Sequence, residues 1–191
     1  MAKVKYITAG AGVLLLAALL AYGCLLVTDH IALQVTEQYP DDEMLQDEFL
    51  DGQFETPERS FVTVGEANLD DQDEVITLNI GEQHYAFPKR WMNGMSEHVV
   101  SEVYEGLPIA VTYCNESECV RVFQGQPGEE KLDIMQAGLA AWHMTILVKG
   151  KSYLQEAENI PYGEYPFELM SWGEWKTNHP DGQVLDEILW E

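Results

Sequence analysis

Residues 106–123 read GLPIAVTYCNESECVRVF, and the rest of the chain is organised around them. Ile109, Val111 and Tyr113 alternate with Ala110 and Thr112. Apolar or β-branched groups therefore fall on both sides of an extended chain, which predicts a buried strand over 109–113. Asn115, Glu116, Ser117 and Glu118 are polar and prone to turn, and Val120 to Phe123 resumes an apolar run, so the stretch reads as a strand, a turn and a returning strand. Cys114 and Cys119 frame the turn. They are two of the three cysteines in the chain.

The same pattern extends outward on both sides. Residues 74–80 (EVITLNI) carry the period-two alternation of a half-buried strand, Gly81-Glu82 turns the chain, and 83–87 (QHYAF) returns to Pro88, a predicted hairpin. Residues 61–64 form a short strand candidate, 89–95 a helical turn or loop, and 97–103 a further short segment. Downstream, 124–131 is a polar loop and 132–141 fits strand or helix. Strands are expected at 144–149, 152–155 and 167–172. A helical turn follows at 173–178, and a tail runs from 183 to 191. Close-set strands with turns between them predict a mainly β or α+β domain over residues 60–191. No GxGxxG, P-loop, βαβ alternation or internal repeat is present.

Composition narrows the function classes. The chain has 191 residues, with 33 Asp+Glu against 10 Lys+Arg and a formal net charge of -23. Such an excess repels phosphate backbones and excludes nucleic-acid binding as a primary role. It also keeps a protein soluble and attracts cations or basic partners.

The first 59 residues supply an address. Lys3 and Lys5 precede an uninterrupted run of apolar or small residues at 6–27, and no acid appears before Asp29. At about 1.5 Å per residue this run is long enough for a bilayer core of about 30 Å. The basic flank before it predicts a cytoplasmic N-terminus and a periplasmic or extracellular body. The expectation is a single-pass anchor at 1–27, an acidic connector at 28–59 punctuated by Pro40, Gly52 and Pro57, and a folded domain beyond. Two alternatives share the segment: a signal peptide cleaved near Gly23, or lipid attachment at Cys24.

Several residues are candidates for chemistry. In an oxidising compartment Cys114 and Cys119 are a disulfide candidate across their turn. Thiolate, thioether and imidazole together suit copper, and thiolate with imidazole suits zinc. A metal set of Cys114, Cys119, His98, His143 and Met144 follows, with His179 as a further possibility. The four-residue spacing of the thiols departs from a thioredoxin-type pair. His98, between Glu97 and Val99, is a candidate general base for a hydrolase, but no partner nucleophile or G-x-S-x-G motif is identifiable. Tyr113 and Trp142 are candidates to line a ligand pocket. Trp172 and Trp175, at i and i+3, read as a hydrophobic lid on the core.

Three blocks together resemble the bacterial family catalogued as domain of unknown function 3179. They are Ala86-Phe87-Pro88, then Glu97-His98-Val99-Val100-Ser101-Glu102, then Pro108-Ile109-Ala110-Val111-Thr112-Tyr113-Cys114. A closing block adds Ser171-Trp172-Gly173-Glu174-Trp175, His179-Pro180-Asp181 and Val184-Leu185. Family members pair their cysteines as Cys-x-x-Cys, whereas here Ser117 stands at the second position and Cys119 follows two residues later. The family's His-Glu order is reversed as Glu97-His98, and the chain is shorter than typical members between Ala140 and Trp172. The resemblance implies a fold and a compartment and supplies no reaction. The expectation is thus a membrane-anchored envelope protein, a non-catalytic binding or structural module whose partner, an envelope protein or a small ligand, the sequence does not name. The alternative is a copper, zinc or thiol-redox protein built on the Cys114/Cys119 turn.

Overall fold

The computed structural model describes residues 57–94, 96–140 and 142–188. The predicted anchor and all but the last three residues of the predicted connector lie outside the described residues. Among the described residues no helix is long and apolar enough to cross a membrane.

The strand predicted at 109–113 is longer than expected, Leu107–Cys114 (β5), and every residue from Pro108 onward is buried. Its neighbours are β4 (Val99–Tyr104), antiparallel with Val99 opposite Thr112, and β6 (Cys119–Gln124), antiparallel with Ala110 opposite Phe123. A two-residue strand, β10 (Gly163–Glu164), adds to the β6 edge, giving the order β10-β6-β5-β4. Both faces of this sheet are covered, which is why β5 is apolar on both sides rather than alternating apolar and polar.

One face packs on a five-stranded sheet of order β1-β12-β3-β2-β11. Its strands are β1 (Phe61–Thr63), β2 (Glu74–Ile80), β3 (Gln83–Pro88), β11 (Glu168–Ser171) and β12 (Gln183–Leu185). Ile76, Leu78, Ile80, Phe87 and Leu185 meet Val100, Ile109, Val111, Tyr113 and Val122 in the first core. The other face packs on a meander of β7 (Ile134–Ala140), β8 (His143–Val148) and β9 (Lys151–Leu154). There Val99, Ala110, Cys114 and Phe123 meet Ile134, Met144, Ile146, Val148 and Tyr153. Helix α1 (Trp172–Asn178) covers the outer face of the five-stranded sheet, where Trp172 and Trp175 pack with Trp91 on Val75, Ala86 and Val184. The layers therefore run helix, five strands, four strands, three strands. Each fully buried Phe or Leu in these cores contributes about 1.5–3 kcal/mol relative to exposure.

The mainly β expectation holds. The hairpin 74–80/83–87 forms with the predicted turn, and Gly81 takes φ 59°, a region that favours glycine. The segment left between strand and helix at 132–141 is strand β7, broken by a bulge between Gln136 and Gly138, with Gly138 at φ 122°. The tail beginning at 183 is not loop throughout. Val184 and Leu185 belong to β12, which pairs parallel to β3 and antiparallel to β1. A parallel partner about a hundred residues away leaves no local signature, so tertiary contact alone defines that strand. The predicted tryptophan lid forms: both rings are 1 % exposed and stack with centroids 5.5 Å apart.

Candidate functional site

The β5–β6 hairpin carries Cys114 as the last residue of one strand and Cys119 as the first of the next, directly opposite in register. Both are free thiols in this structure. Cys114 is buried in the second core and Cys119 packs against its edge. Between them Glu118 sits at φ 54°, a left-handed conformation that costs a non-glycine residue roughly 1–2 kcal/mol. Its carboxylate offsets that cost by accepting hydrogen bonds from the Tyr113 hydroxyl at 3.1 Å and from Lys89 Nζ at 3.2 Å. The turn is thus pinned to the strand that precedes it.

Burial, with the nearby Glu156 carboxylate, pushes the Cys119 thiol up to about 11, against an opposing pull from Arg121. At neutral pH it is a protonated, weakly nucleophilic thiol. Met144 belongs to the same core, so three sulfur-bearing side chains share one cluster. At its edge, Glu156 Oε1 lies 3.0 Å from His143 Nδ1 and accepts from Ser117 Oγ at 3.2 Å, joining the hairpin tip to the end of β9. Glu156 Oε2 is buried with no hydrogen-bond partner.

Gln155 is fully buried beside this bridge. Its Nε2 donates to Thr112 Oγ1 at 2.8 Å and to the Cys119 carbonyl at 3.3 Å, while Oε1 has no partner. Arg121 closes the network. Its Nη1 donates to the carbonyls of Gln155 at 2.6 Å and Ala157 at 2.7 Å, and its other edge pairs with Glu164.

His98 is buried and its Nδ1 lies 2.8 Å from the Tyr113 carbonyl. Meeting a carbonyl requires Nδ1 to carry the hydrogen, which leaves Nε2 unprotonated in the neutral ring. Burial pulls this imidazole below its ordinary value, although the carbonyl bond and Glu97 pull the other way. The bond runs to strand backbone, and His98 is not among the side chains of the core that holds the two thiols.

Of the predicted metal set, the fold therefore brings Cys114, Cys119 and Met144 into one cluster, with His143 held by Glu156 and His98 held by backbone. Among the described residues no group of three or more His, Cys, Asp or Glu side chains is gathered to hold a metal ion. Tyr113 and Trp142 do not form a pocket wall together. Tyr113 is 5 % exposed in the first core and Trp142 is 75 % exposed at the β7–β8 turn. His179 packs on His84, with ring centroids 4.0 Å apart. Sequence reasoning did not single out Gln155, Glu156 or Arg121. The one available signal was Arg121, a cation within an apolar strand of a strongly acidic chain.

A layered β domain with a register-paired thiol hairpin is what fold and site define. The family described as Protein of unknown function (DUF3179) matches residues 53–146, which supports the resemblance carried by the motifs. The match takes in the hairpin and ends within β8, so the closing block at 171–185 lies beyond it. No curated protein and no solved structure matches the chain.

Proposed function

We propose that the chain is an envelope protein, anchored through residues 6–27, whose β domain serves extracytoplasmically as a non-catalytic binding or structural module. The observation that carries this reading is how the polar groups around the thiols are used. His98 holds a backbone carbonyl, Gln155 and Arg121 cross-link strand and turn, and burial keeps the Cys119 thiol protonated. These groups hold a fold together. Directly opposed antiparallel residues have Cα atoms about 4.5–5.5 Å apart, within the range a disulfide accepts. In an oxidising compartment the pair closes into a structural cross-link.

Intact mass with and without reductant, followed by alkylation, tests this. The expected result is a gain of two hydrogen atoms on reduction, with the two electrons supplied by the reductant, and slow alkylation of Cys119 at neutral pH. Rapid alkylation of a thiol that stays reduced in an oxidising buffer would refute it.

A second reading rests on the clustering of Cys114, Cys119 and Met144, whose soft donors suit copper(I). Elemental analysis of the purified chain discriminates the two. Stoichiometric copper lost in Cys114→Ser would establish the second reading, and a metal-free disulfide form would dismiss it.

A further inference from the structure

We propose that a cavity of about 490 Å³ beside the first core binds a zwitterionic ligand, an α-amino acid with an apolar side chain. The cavity is bordered by Arg59, Phe61 and Tyr85, by Glu102 and Tyr104 of β4, and by Glu105 of the β4–β5 turn. Its size falls within the range of small-molecule sites.

Three buried hydrogen-bonding atoms without protein partners belong to two residues of this one wall. Arg59 uses Nη2 to donate to the carbonyls of Trp91 at 3.0 Å and Asp186 at 2.9 Å. Its Nε and Nη1 are buried and unpartnered, as is the hydroxyl of Tyr104, a residue only 4 % exposed. A guanidinium keeps its charge when buried; Glu97 and Asp186 offset part of that charge, yet two of its donors and one hydroxyl have no acceptor. A carboxylate supplies them, with the added strength of charge-assisted hydrogen bonds. All three atoms are screened from bulk water in this structure, so the proposed binding includes a side-chain turn that presents them to the ligand while Arg59 Nη2 keeps its two carbonyls.

Charge then selects among carboxylates. Glu102 and Glu105 border the same cavity, Glu102 only loosely paired with Lys131 at 3.8 Å, and the chain as a whole carries -23. A simple anion is repelled by that field, whereas an ammonium group on the same molecule is drawn to Glu105. The apolar wall completes the fit. Phe61, Tyr85 and Tyr104 pack edge to face, with centroids 4.9–5.8 Å apart, and offer ring surface to an aliphatic or aromatic side chain. This goes beyond the thiol hairpin and stands whether or not those cysteines are cross-linked.

The test is calorimetric titration of the purified 191-residue chain in mild detergent with leucine and phenylalanine. Leucinamide, which lacks the carboxylate, and N-acetyl-leucine, which lacks the ammonium, are the controls. The free amino acids are expected to bind, with both controls weaker by about tenfold or more. Tyr104→Phe removes only an unpartnered hydroxyl, so it should fold like the parent and weaken leucine binding about threefold to tenfold. Glu105→Gln should weaken leucine and leave N-acetyl-leucine unaffected. No binding of either amino acid at millimolar concentration would overturn the proposal. So would leucinamide binding as well as leucine, or affinity unchanged in both variants. The thiol readouts described above are untouched by any of these outcomes.

Discussion

Replacing Gln155 separates two ideas about the buried network: that its hydrogen bonds stabilise the fold, and that its volume does. The side chain is fully buried, donates twice, and leaves Oε1 without a partner. Losing both hydrogen bonds costs about 0.5–1.5 kcal/mol each, while removing the orphaned acceptor relieves about 1–3 kcal/mol. These nearly cancel in Gln155→Met, which keeps the volume. Thr112 Oγ1 still donates to the Arg121 carbonyl at 2.9 Å, so it is not stranded. Gln155→Ala has the same polar balance but also leaves a void on the order of 50 Å³, worth about 1.2 kcal/mol at about 24 cal/mol per Å³. Met also buries two carbon groups and a sulfur that Ala lacks, and a core Met→Ala change costs about 2–5 kcal/mol in all. The Ala variant is therefore expected to be less stable than the Met variant by about 2–5 kcal/mol, with Met close to the parent. Urea unfolding of the chain in mild detergent, followed by tryptophan fluorescence, reads this as a midpoint lower by about 1 M or more. A Met variant as unstable as the Ala variant would refute the reasoning, because polar pairing and not volume would then govern the site.

Three other perturbations follow from the geometry. Burial holds His98 below its ordinary value. The unfolded chain takes up a proton near about pH 6.5 while the folded one resists until lower pH, so this residue's contribution is present above that value and lost as pH falls. His98→Gln should flatten the slope of unfolding midpoint against pH below about 6.5, and an unchanged slope would show that another group controls it. A Cβ on Gly182 would overlap the ring of Trp175, lying 2.9 Å from Cζ2 and 3.1 Å from the His179 carbonyl. Because Trp175 is 1 % exposed and cannot retreat, Gly182→Ala should lower stability by about 1–3 kcal/mol in the same unfolding assay. Arg121→Lys keeps the charge but loses the planar fork that meets two carbonyls and Glu164 at once, and a loss of about 1–3 kcal/mol is expected in a thermal melt.

Much of the fold was legible in the sequence because its signals are local. The alternation over 74–80, the Gly81-Glu82 turn and the doubly apolar 109–113 run each follow from steric and hydrophobic preferences acting within a few residues, and strands β2, β3, β5 and β6 form where these point. The family resemblance was readable for the same reason, since its blocks at 86–88, 97–102 and 108–114 are contiguous and lie within the matched segment. Tertiary structure decided what depends on distant partners. Residues 183–185 became a strand only because β3 and β1 offer their edges, and 134–140 became a strand only because β8 pairs with it. Side-chain environment was likewise beyond local pattern. Nothing near Cys119 announces the burial and the Glu156 carboxylate that raise its thiol, nothing near His98 announces the Tyr113 carbonyl, and nothing in the order of residues places Arg59 beside Tyr104. The thiol hairpin was visible as a spacing of two cysteines. The environment of that pair, with Cys114 buried and the half-buried Cys119 thiol raised, comes from residues that only the packing of the second and third sheets brings within reach.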